Sequence, residues 1–339
     1  MDAILLAGGY GTRLRPLTYT HPKPLLPVAG RPLVEWALDR LPQEVDRVIV
    51  CVNWLADALR VHFAASNRDI EFVVVQEDEP LGTAGAVKNA EPHIRSKDFF
   101  VLNADIISDM DLAALIRQHE ATGAAGTISL KEVQPHEVVD FGVVRPDTGP
   151  EAQPKSAGPD TKDAVRIAGF VEKPARPEDA PSRFINAGAY LLHRDVLKLI
   201  PKGRLVSMEK EIFPHLIPQG FWGCTFRGQW IDVGDPTRLL QASRKLDPER
   251  HFGPGSEVAA DARILDSVGG RGCRIGAAAI LERCVLGDDV TVAAGVHLVD
   301  CIVGDGEHVS RDAKGDRIWS KPVPDGYPQK QVGNAKPAV

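Results

Sequence analysis

Several features are missing from this sequence, and each absence excludes something. No run of about 18 apolar residues occurs, which leaves no segment suited to spanning a membrane. Basic residues are not in excess: 40 Lys+Arg stand against 46 Asp+Glu, a net charge of −6, so no nucleic-acid-binding surface is expected. The five cysteines (Cys51, Cys224, Cys273, Cys284, Cys301) are odd in number and widely spread, with no Cys-x-x-Cys. They read as reduced, buried thiols rather than disulfides or zinc ligands. After Met1 the chain is acidic and then apolar (Asp2-Ala3-Ile4-Leu5-Leu6), without the basic start and small-residue cleavage site of a secretory leader. A cytoplasmic location is the expectation. What remains is ordinary: 43% apolar and 25% charged residues in 339, enough for two globular domains.

Up to about residue 245, short apolar runs alternate with helix-period stretches. Strands are expected at Asp2–Ala7, Arg47–Val52, Ile70–Val75, Phe99–Asn103 and Gly126–Leu130, and helices at Leu33–Leu41, Gly85–Ala90 and Leu112–Thr122. That order implies an α/β fold of Rossmann-like type with a mostly parallel mixed sheet. Ligands in such sheets sit beyond the carboxyl ends of the strands, which directs attention to the segments after Ala7, Val75 and Asn103. The Pro- and Gly-rich stretch Arg145–Ala164 reads as a long surface loop between two strands.

From about residue 256 the texture changes. ILDSVGG at Ile264, LERCVLG at Leu281 and LVDCIVG at Leu298 repeat every 17 residues, and Leu286, Val292 and Leu298 recur six apart. Hexads with one shortened step describe a hexapeptide solenoid of about three coils, a short left-handed parallel β-helix. Leu286, Val292 and Leu298 should point inward, with Cys284 and Cys301 stacked as core. The division expected is a catalytic domain over 1–245, the solenoid over 246–313 and a polar tail, loose or draped over the surface, over 314–339. A stack this short exposes strand edges, so a homo-oligomer, a dimer or higher, is expected to cover them.

The chemistry begins where the first strand runs into Ala7-Gly8-Gly9-Tyr10-Gly11-Thr12-Arg13. Glycines at a strand end let backbone N–H groups converge on polyphosphate oxygens. The loop is neither a Walker motif nor a full Gly-x-Gly-x-x-Gly. Arg13 follows at once, and Lys23 lies between Pro22 and Pro24, which stiffen its backbone. Asp105 and Asp232 each follow an apolar run, where an aspartate alone is more often a turn former or cap. Asp235, just before Pro236, reads as a helix N-cap.

LAGGYGTRLRPLT with HPKPLLPVAGRPLVEW resembles the signature of the sugar-1-phosphate nucleotidyltransferases. EPLGTAGA, LNADI, FGVV, FVEKP, INAGAYLL, VSMEKEIFP and GQWIDVGDP follow in family order. The resemblance implies attack of a sugar-1-phosphate oxygen on the α-phosphorus of a nucleoside triphosphate, with release of pyrophosphate. It implies that Arg13 serves the β/γ-phosphates and the transition state, Lys23 the α-phosphate, and Asp105 and Asp232 a Mg2+ ion. Both cations should face solvent until substrate binds. Leu6, Ala7, Gly8, Gly9, Gly11, Thr12, Gln76, Gly82 and Thr83 match the nucleotide-binding positions. Gly142, Glu172, Lys173 and Asn186 match those for the sugar phosphate. Within the family the motifs are most similar to the mannose-1-phosphate guanylyltransferases, which pair GTP with mannose 1-phosphate. Relatives using UTP, dTTP or ATP with glucose 1-phosphate share much of the pattern and remain an alternative. A non-catalytic regulatory subunit is disfavoured because Arg13, Lys23, Asp105, Lys173 and Asp232 are all present. An acyltransferase solenoid, for which His297 or His308 would serve as base, is disfavoured by the small number of coils.

Overall fold

The computed structural model describes residues 1–149, 152, 154 and 158–328. Its central sheet has nine strands: β1 (Asp2–Leu6), β2 (Arg47–Val52), β3 (Glu71–Gln76), β4 (Asp98–Asn103), β5 (Gly126–Glu132), β6 (Gly142–Pro146), β7 (Ala164–Glu172), β8 (Phe184–His193) and β9 (Phe221–Thr225). They are ordered β3-β2-β1-β4-β8-β5-β9-β7-β6. Pairing is parallel from β3 through β4 and between β5 and β9. It is antiparallel wherever β8 or β7 takes part, so only those two run against the rest. The five strands expected from apolar runs all lie in this sheet, within one residue of their bounds except at the end of β5, which runs two residues further.

Local chemistry explains the elements. In β2 the run Arg47-Val-Ile-Val-Cys-Val52 is buried along its whole length, as a strand covered on both faces must be. The one charge in it, Arg47, is held by Asp2 at 3.2 Å and Glu71 at 2.9 Å. The helix Leu112–Thr122 starts where Asp111 accepts the Ala113 N–H at 2.9 Å. It stops at Gly123, whose φ of 61° a side chain would resist. Its Leu112, Leu115 and Ile116 face inward. The core gathers Ile4, Ile49, Val101, Tyr190, Phe213 and Phe221 from five strands and the segment that follows Met208.

The stretch Arg145–Ala164 is less of a surface loop than expected. Its last part forms a helical turn at Pro159–Thr161 with Thr161 buried, and Asp160 pairs with Arg117 at 3.3 Å. Residues 150, 151, 153 and 155–157 of that loop, and 329–339 of the expected tail, lie outside the described residues.

Two compact units make up the chain. One contains Met1–Gly8 and Trp36–Trp230; the other contains Gly9–Glu35 and the chain from Ile231 onward. The second unit holds a left-handed parallel β-helix whose three faces are parallel sheets of four strands each, one more per face than the three visible repeats suggest. Ile264, Leu281 and Leu298 are paired in register, as the 17-residue period requires. Leu286, Val292, Leu298, Cys284 and Cys301 all lie in its buried core. The outer coils escaped the repeat because their strands, such as Glu257–Val258 and Arg317–Ile318, carry exposed polar residues.

Leu298→Ala should cost roughly 3 kcal/mol by opening a cavity between coils, whereas Val258→Ala, at a position 42% exposed, should cost less than about 0.5 kcal/mol. Urea midpoints of the two variants check this; equal losses would contradict the inward assignment.

Candidate active site

Register brings four of the expected nucleotide residues, Leu6, Ala7, Gly8 and Gln76, to one edge of the sheet. Leu6 of β1 is level with Cys51 of β2 and Asn103 of β4, and Cys51 is level with Val75 of β3. One further rung closes this row, from the Ala7 N–H to the Cys51 carbonyl at 2.9 Å and from the Ala104 N–H to the Leu6 carbonyl at 3.2 Å. Beyond it the chain leaves the sheet at Gly8, Asn53 and Asp105, with Gln76 at the end of β3. Gln76 is exposed, and its Oε1 accepts from Arg60 at 3.3 Å. A Cβ on Gly8 would lie 3.1 Å from Asn53 Oδ1. That oxygen is buried and has no hydrogen-bond partner among the described residues. Asn53 was not among the sequence candidates: no motif marks it, and only the strand register reveals it. It offers an acceptor to a ligand donor at this end of the site.

The turn into the next helix is shaped by Glu77, which is buried and accepts the Leu81 N–H at 3.0 Å. Burial pushes its carboxyl above the usual range. Gly82 then starts the helix Gly82–Asn89 at φ 72°, and a Cβ there would stand 2.6 Å from the Val206 carbonyl oxygen. No other residue fits so close an approach.

The expected sugar residues lie on, or directly after, β6 and the two strands that pair with it, in the same unit. Gly142 of β6 pairs with Glu172 of β7, and a Cβ on Gly142 would reach within 2.5 Å of Glu172 Oε2. Lys173 follows in the left-handed region (φ 49°), its N–H held by the Phe141 carbonyl at 3.0 Å and its side chain exposed. The register of β8 against β5 shifts between Asn186 and Tyr190, around Gly188 at φ 75°. The irregularity re-aims Asn186. Its Oδ1 accepts the Gly188 N–H at 2.9 Å and its Nδ2 donates to the Tyr190 oxygen at 2.8 Å. Tyr190 Oη donates to Glu209 Oε1 at 3.5 Å, and Glu209 Oε2 accepts from Thr83 Oγ1 at 2.9 Å and Ser207 Oγ at 2.7 Å. Thr83, expected beside the nucleoside, is thus tied to Glu209. Burial and then the Glu209 charge raise the Glu172 carboxyl, against the pull of Lys173 and Lys210. Glu209 and Tyr190 were missed as individuals, although both lie in motifs read from the sequence.

In the second unit, Gly11 has φ 60° and caps a helical turn over Thr12–Leu14. Around Gly9 a Cβ would meet open space, so that position leaves room for a ligand rather than relieving strain. Arg13 is 63% exposed at its side chain and lies 3.7 Å from Asp235. A Cβ on Gly234 would come within 2.5 Å of Arg13 Nη2, so this glycine makes space for the guanidinium. Asp235 caps the helix Pro236–Leu246 by accepting the Arg238 N–H at 3.0 Å. Asp232 Oδ2 lies 3.4 Å from Arg238 Nη1. Lys23 departs from expectation: it is 9% exposed, not open to solvent, because the helical turn Lys23–Leu25 folds inward with Pro24.

A family model described as nucleotidyl transferase matches residues 2–249. The chain belongs to that family. It is 33% identical over 314 residues to the mannose-1-phosphate guanylyltransferase of Mycobacterium tuberculosis, covering 87% of this chain and 82% of that one. It is 36% identical over 332 residues to a probable mannose-1-phosphate guanylyltransferase 2 of Arabidopsis thaliana, covering 92% and 84%. Among solved structures, UDP-glucose pyrophosphorylase complexed with UDP-glucose shares the fold, with a TM-score of 0.61 over 74% of this chain and 99% of that one, at 23% identity. HddC from Yersinia pseudotuberculosis complexed with GMP-PN is 26% identical, with a TM-score of 0.55 over 73% of this chain and 99% of that one.

Nucleotidyl transferases of this family generally use a divalent metal. Among the described residues no three His, Cys, Asp or Glu side chains cluster into a metal cage. Asp105 and Asp232 are each a half-buried carboxylate, the kind of group that Mg2+ takes singly while phosphate and water complete its shell.

The transferase also ties its signature loop to the β-helix through His21. Nδ1 lies 3.1 Å from Asp305 and Nε2 3.8 Å from Asp288, while Thr20 Oγ1 donates to Asp305 at 2.6 Å. The hydrogen bond to Asp305 raises the imidazole above its ordinary value despite burial and the opposing Arg271; Asp305 in turn is held low. A raised histidine stabilises fully below its unfolded pKa and loses that contribution as pH rises through the folded one. The melting-temperature gap between wild type and His21→Gln should therefore narrow from about pH 6 to about pH 9. A gap that stays constant would contradict the ion pair.

Proposed function

We propose that this enzyme joins mannose 1-phosphate to GTP, giving GDP-mannose and pyrophosphate. The observation that carries the choice is the run of relatives named as mannose-1-phosphate guanylyltransferases, each matching most of this chain. The complex of HddC with GMP-PN supports a guanine nucleotide for this fold. A sugar-phosphate oxygen attacks the α-phosphorus in line, the bond to the pyrophosphate oxygen breaks, and no covalent intermediate is required.

In this reading Leu6, Ala7, Gly8, Gly9, Gly11 and Thr12 line the triphosphate's path, and Gln76, Gly82 and Thr83 the base and ribose. Glu172 and Asn186 accept and donate to sugar hydroxyls, with Gly142 admitting the sugar close to the backbone. Lys173, an exposed ammonium, neutralises the sugar phosphate. Arg13 stabilises charge developing on the leaving pyrophosphate, and Lys23 that on the α-phosphate, its burial lowering the local dielectric and strengthening the interaction. Asp105 and Asp232 would hold Mg2+, which supplies charge neutralisation on the phosphates when bound. A second copy of the chain covering the open coils of the β-helix fits a dimeric or higher assembly. A reducing, cytoplasmic setting fits five buried thiols, of which Cys51 is held well above the usual range by burial.

Pyrophosphate release measured across GTP, UTP, dTTP and ATP with mannose and glucose 1-phosphates tests the assignment. Preference for any pair other than GTP with mannose 1-phosphate overturns it. Asp105→Asn should leave less than about a tenth of wild-type turnover at saturating Mg2+ with the fold intact by circular dichroism. Greater residual activity would remove Asp105 from the metal site.

The two lysines should separate kinetically. Lys23→Ala is expected to lower kcat about 100-fold, and Lys173→Ala to raise the KM for the sugar phosphate roughly tenfold with a smaller loss in kcat. Indistinguishable defects would dissolve the division of roles.

A further inference from the structure

Tyr327 stands near the C-terminal limit of the described residues, in a segment with no strand or helix, yet it is 4% exposed. It is buried in the second unit against the loop that carries Arg13 and Lys23. Three of the four tyrosines meet there: the Tyr327 ring packs edge-on against Tyr19 at 4.9 Å and Tyr10 at 5.9 Å between centroids. The Arg15 guanidinium lies 4.7 Å from the Tyr327 centroid and donates to the Pro328 carbonyl at 2.9 Å. Arg317, in the strand that leads into this segment, donates to the carbonyls of Arg13, at 2.8 Å, and of Arg15.

The hydroxyl does something the ring does not. Tyr327 Oη donates to the Tyr10 carbonyl at 2.9 Å and lies 3.0 Å from Thr18 Oγ1, itself fully buried and donating to the Gly11 carbonyl at 3.1 Å. In a trans peptide the carbonyl and the following N–H point opposite ways. Drawing the Tyr10 and Gly11 carbonyls toward Tyr327 and Thr18 therefore turns the N–H groups of Gly11 and Thr12 to the other side of the loop. Convergent N–H groups are what a polyphosphate needs from such a loop. Gly11 permits this orientation because its φ of 60° is cheap only without a Cβ, which would stand 2.7 Å from Thr18 Cγ2.

We propose that Tyr327 is a positioning residue for nucleotidyl transfer, and that the segment from Arg317 to Pro328 straps the glycine-rich loop into its phosphate-binding form. The proposal rests on reading the loop as the triphosphate site, not on which base or sugar is used.

Full-length wild type, Tyr327→Phe and Tyr327→Ala decide it. The measurements are steady-state kinetics for both substrates, GTP binding by calorimetry, thermal melting, and hydrogen exchange of peptides spanning residues 8–20. Tyr327→Phe keeps the aromatic and cation contacts and loses only the hydroxyl. It should lower kcat and weaken GTP binding, each by about tenfold, and should speed exchange at Gly11 and Thr12. The KM for mannose 1-phosphate should stay within about twofold and melting nearly unchanged. Tyr327→Ala should deepen the same defects; if it fails to fold, the Phe variant alone decides. Wild-type kcat, GTP affinity and loop exchange in Tyr327→Phe overturn the proposal, and so does an equal loss for both substrates accompanied by a collapsed melting temperature. Should wild type release pyrophosphate from no tested pair, the functional reading fails, while GTP affinity and loop exchange still decide the strap.

Discussion

Parallel strands β3, β2, β1 and β4 end in one row, and the site depends on that row. A parallel ladder places all its carboxyl ends at one edge, where the last carbonyls and the first loop N–H groups must find partners outside the strands. Leu6, Cys51, Val75 and Asn103 mark the edge. Gly8, Asn53, Gln76 and Asp105 therefore leave the sheet side by side although they are far apart in sequence. A slip of one residue in any of these pairings would turn every side chain of the strand to the opposite face and bury polar groups in the core. Burial on both faces of β2 makes such a slip costly.

Charge differs between the two units. The first unit carries Glu172, whose ionisation is made harder by burial and then by the Glu209 charge. Lys173 and Lys210 offset them. The second unit supplies Arg13, exposed and loosely paired with Asp235, and the buried Lys23. An exposed guanidinium can swing onto a phosphate at little cost, whereas a buried ammonium is already desolvated and acts at a fixed point.

The β-helix turns its corners at residues that share the 17-residue period. Asp266, Arg283 and Asp300 all have φ between 50° and 53°, a conformation costing a side-chain-bearing residue of order 1 kcal/mol or more. Arg283 bonds Asp300 through two nitrogens, at 2.6 and 2.9 Å. Inside, Leu281 and Leu298 stack in register. Repeated packing compensates for repeated strain, so the coil survives corners without glycine. The same stack reaches the signature loop, since Asp288 and Asp305 take His21 from it.

The sequence by itself determined the α/β alternation, the first five strands and the coil period, because these follow from local apolar spacing and turn chemistry. Gly142, Glu172 and Asn186, read from three separate strings, lie on β6 and on the two strands that pair with it. The sequence could not show that β8 inserts antiparallel between β4 and β5, since the pattern of INAGAYLL says that a strand forms and not which strand it pairs with. Nor could it show that Lys23 is buried, that Thr83 bonds Glu209, that Asn53 faces Gly8, or that Tyr327 returns to Thr18 and Tyr10. Those contacts join residues from distant parts of the chain through hydrogen bonds and packing. Such pairings are chosen by the whole fold's need to satisfy buried polar groups, and no local periodicity records them.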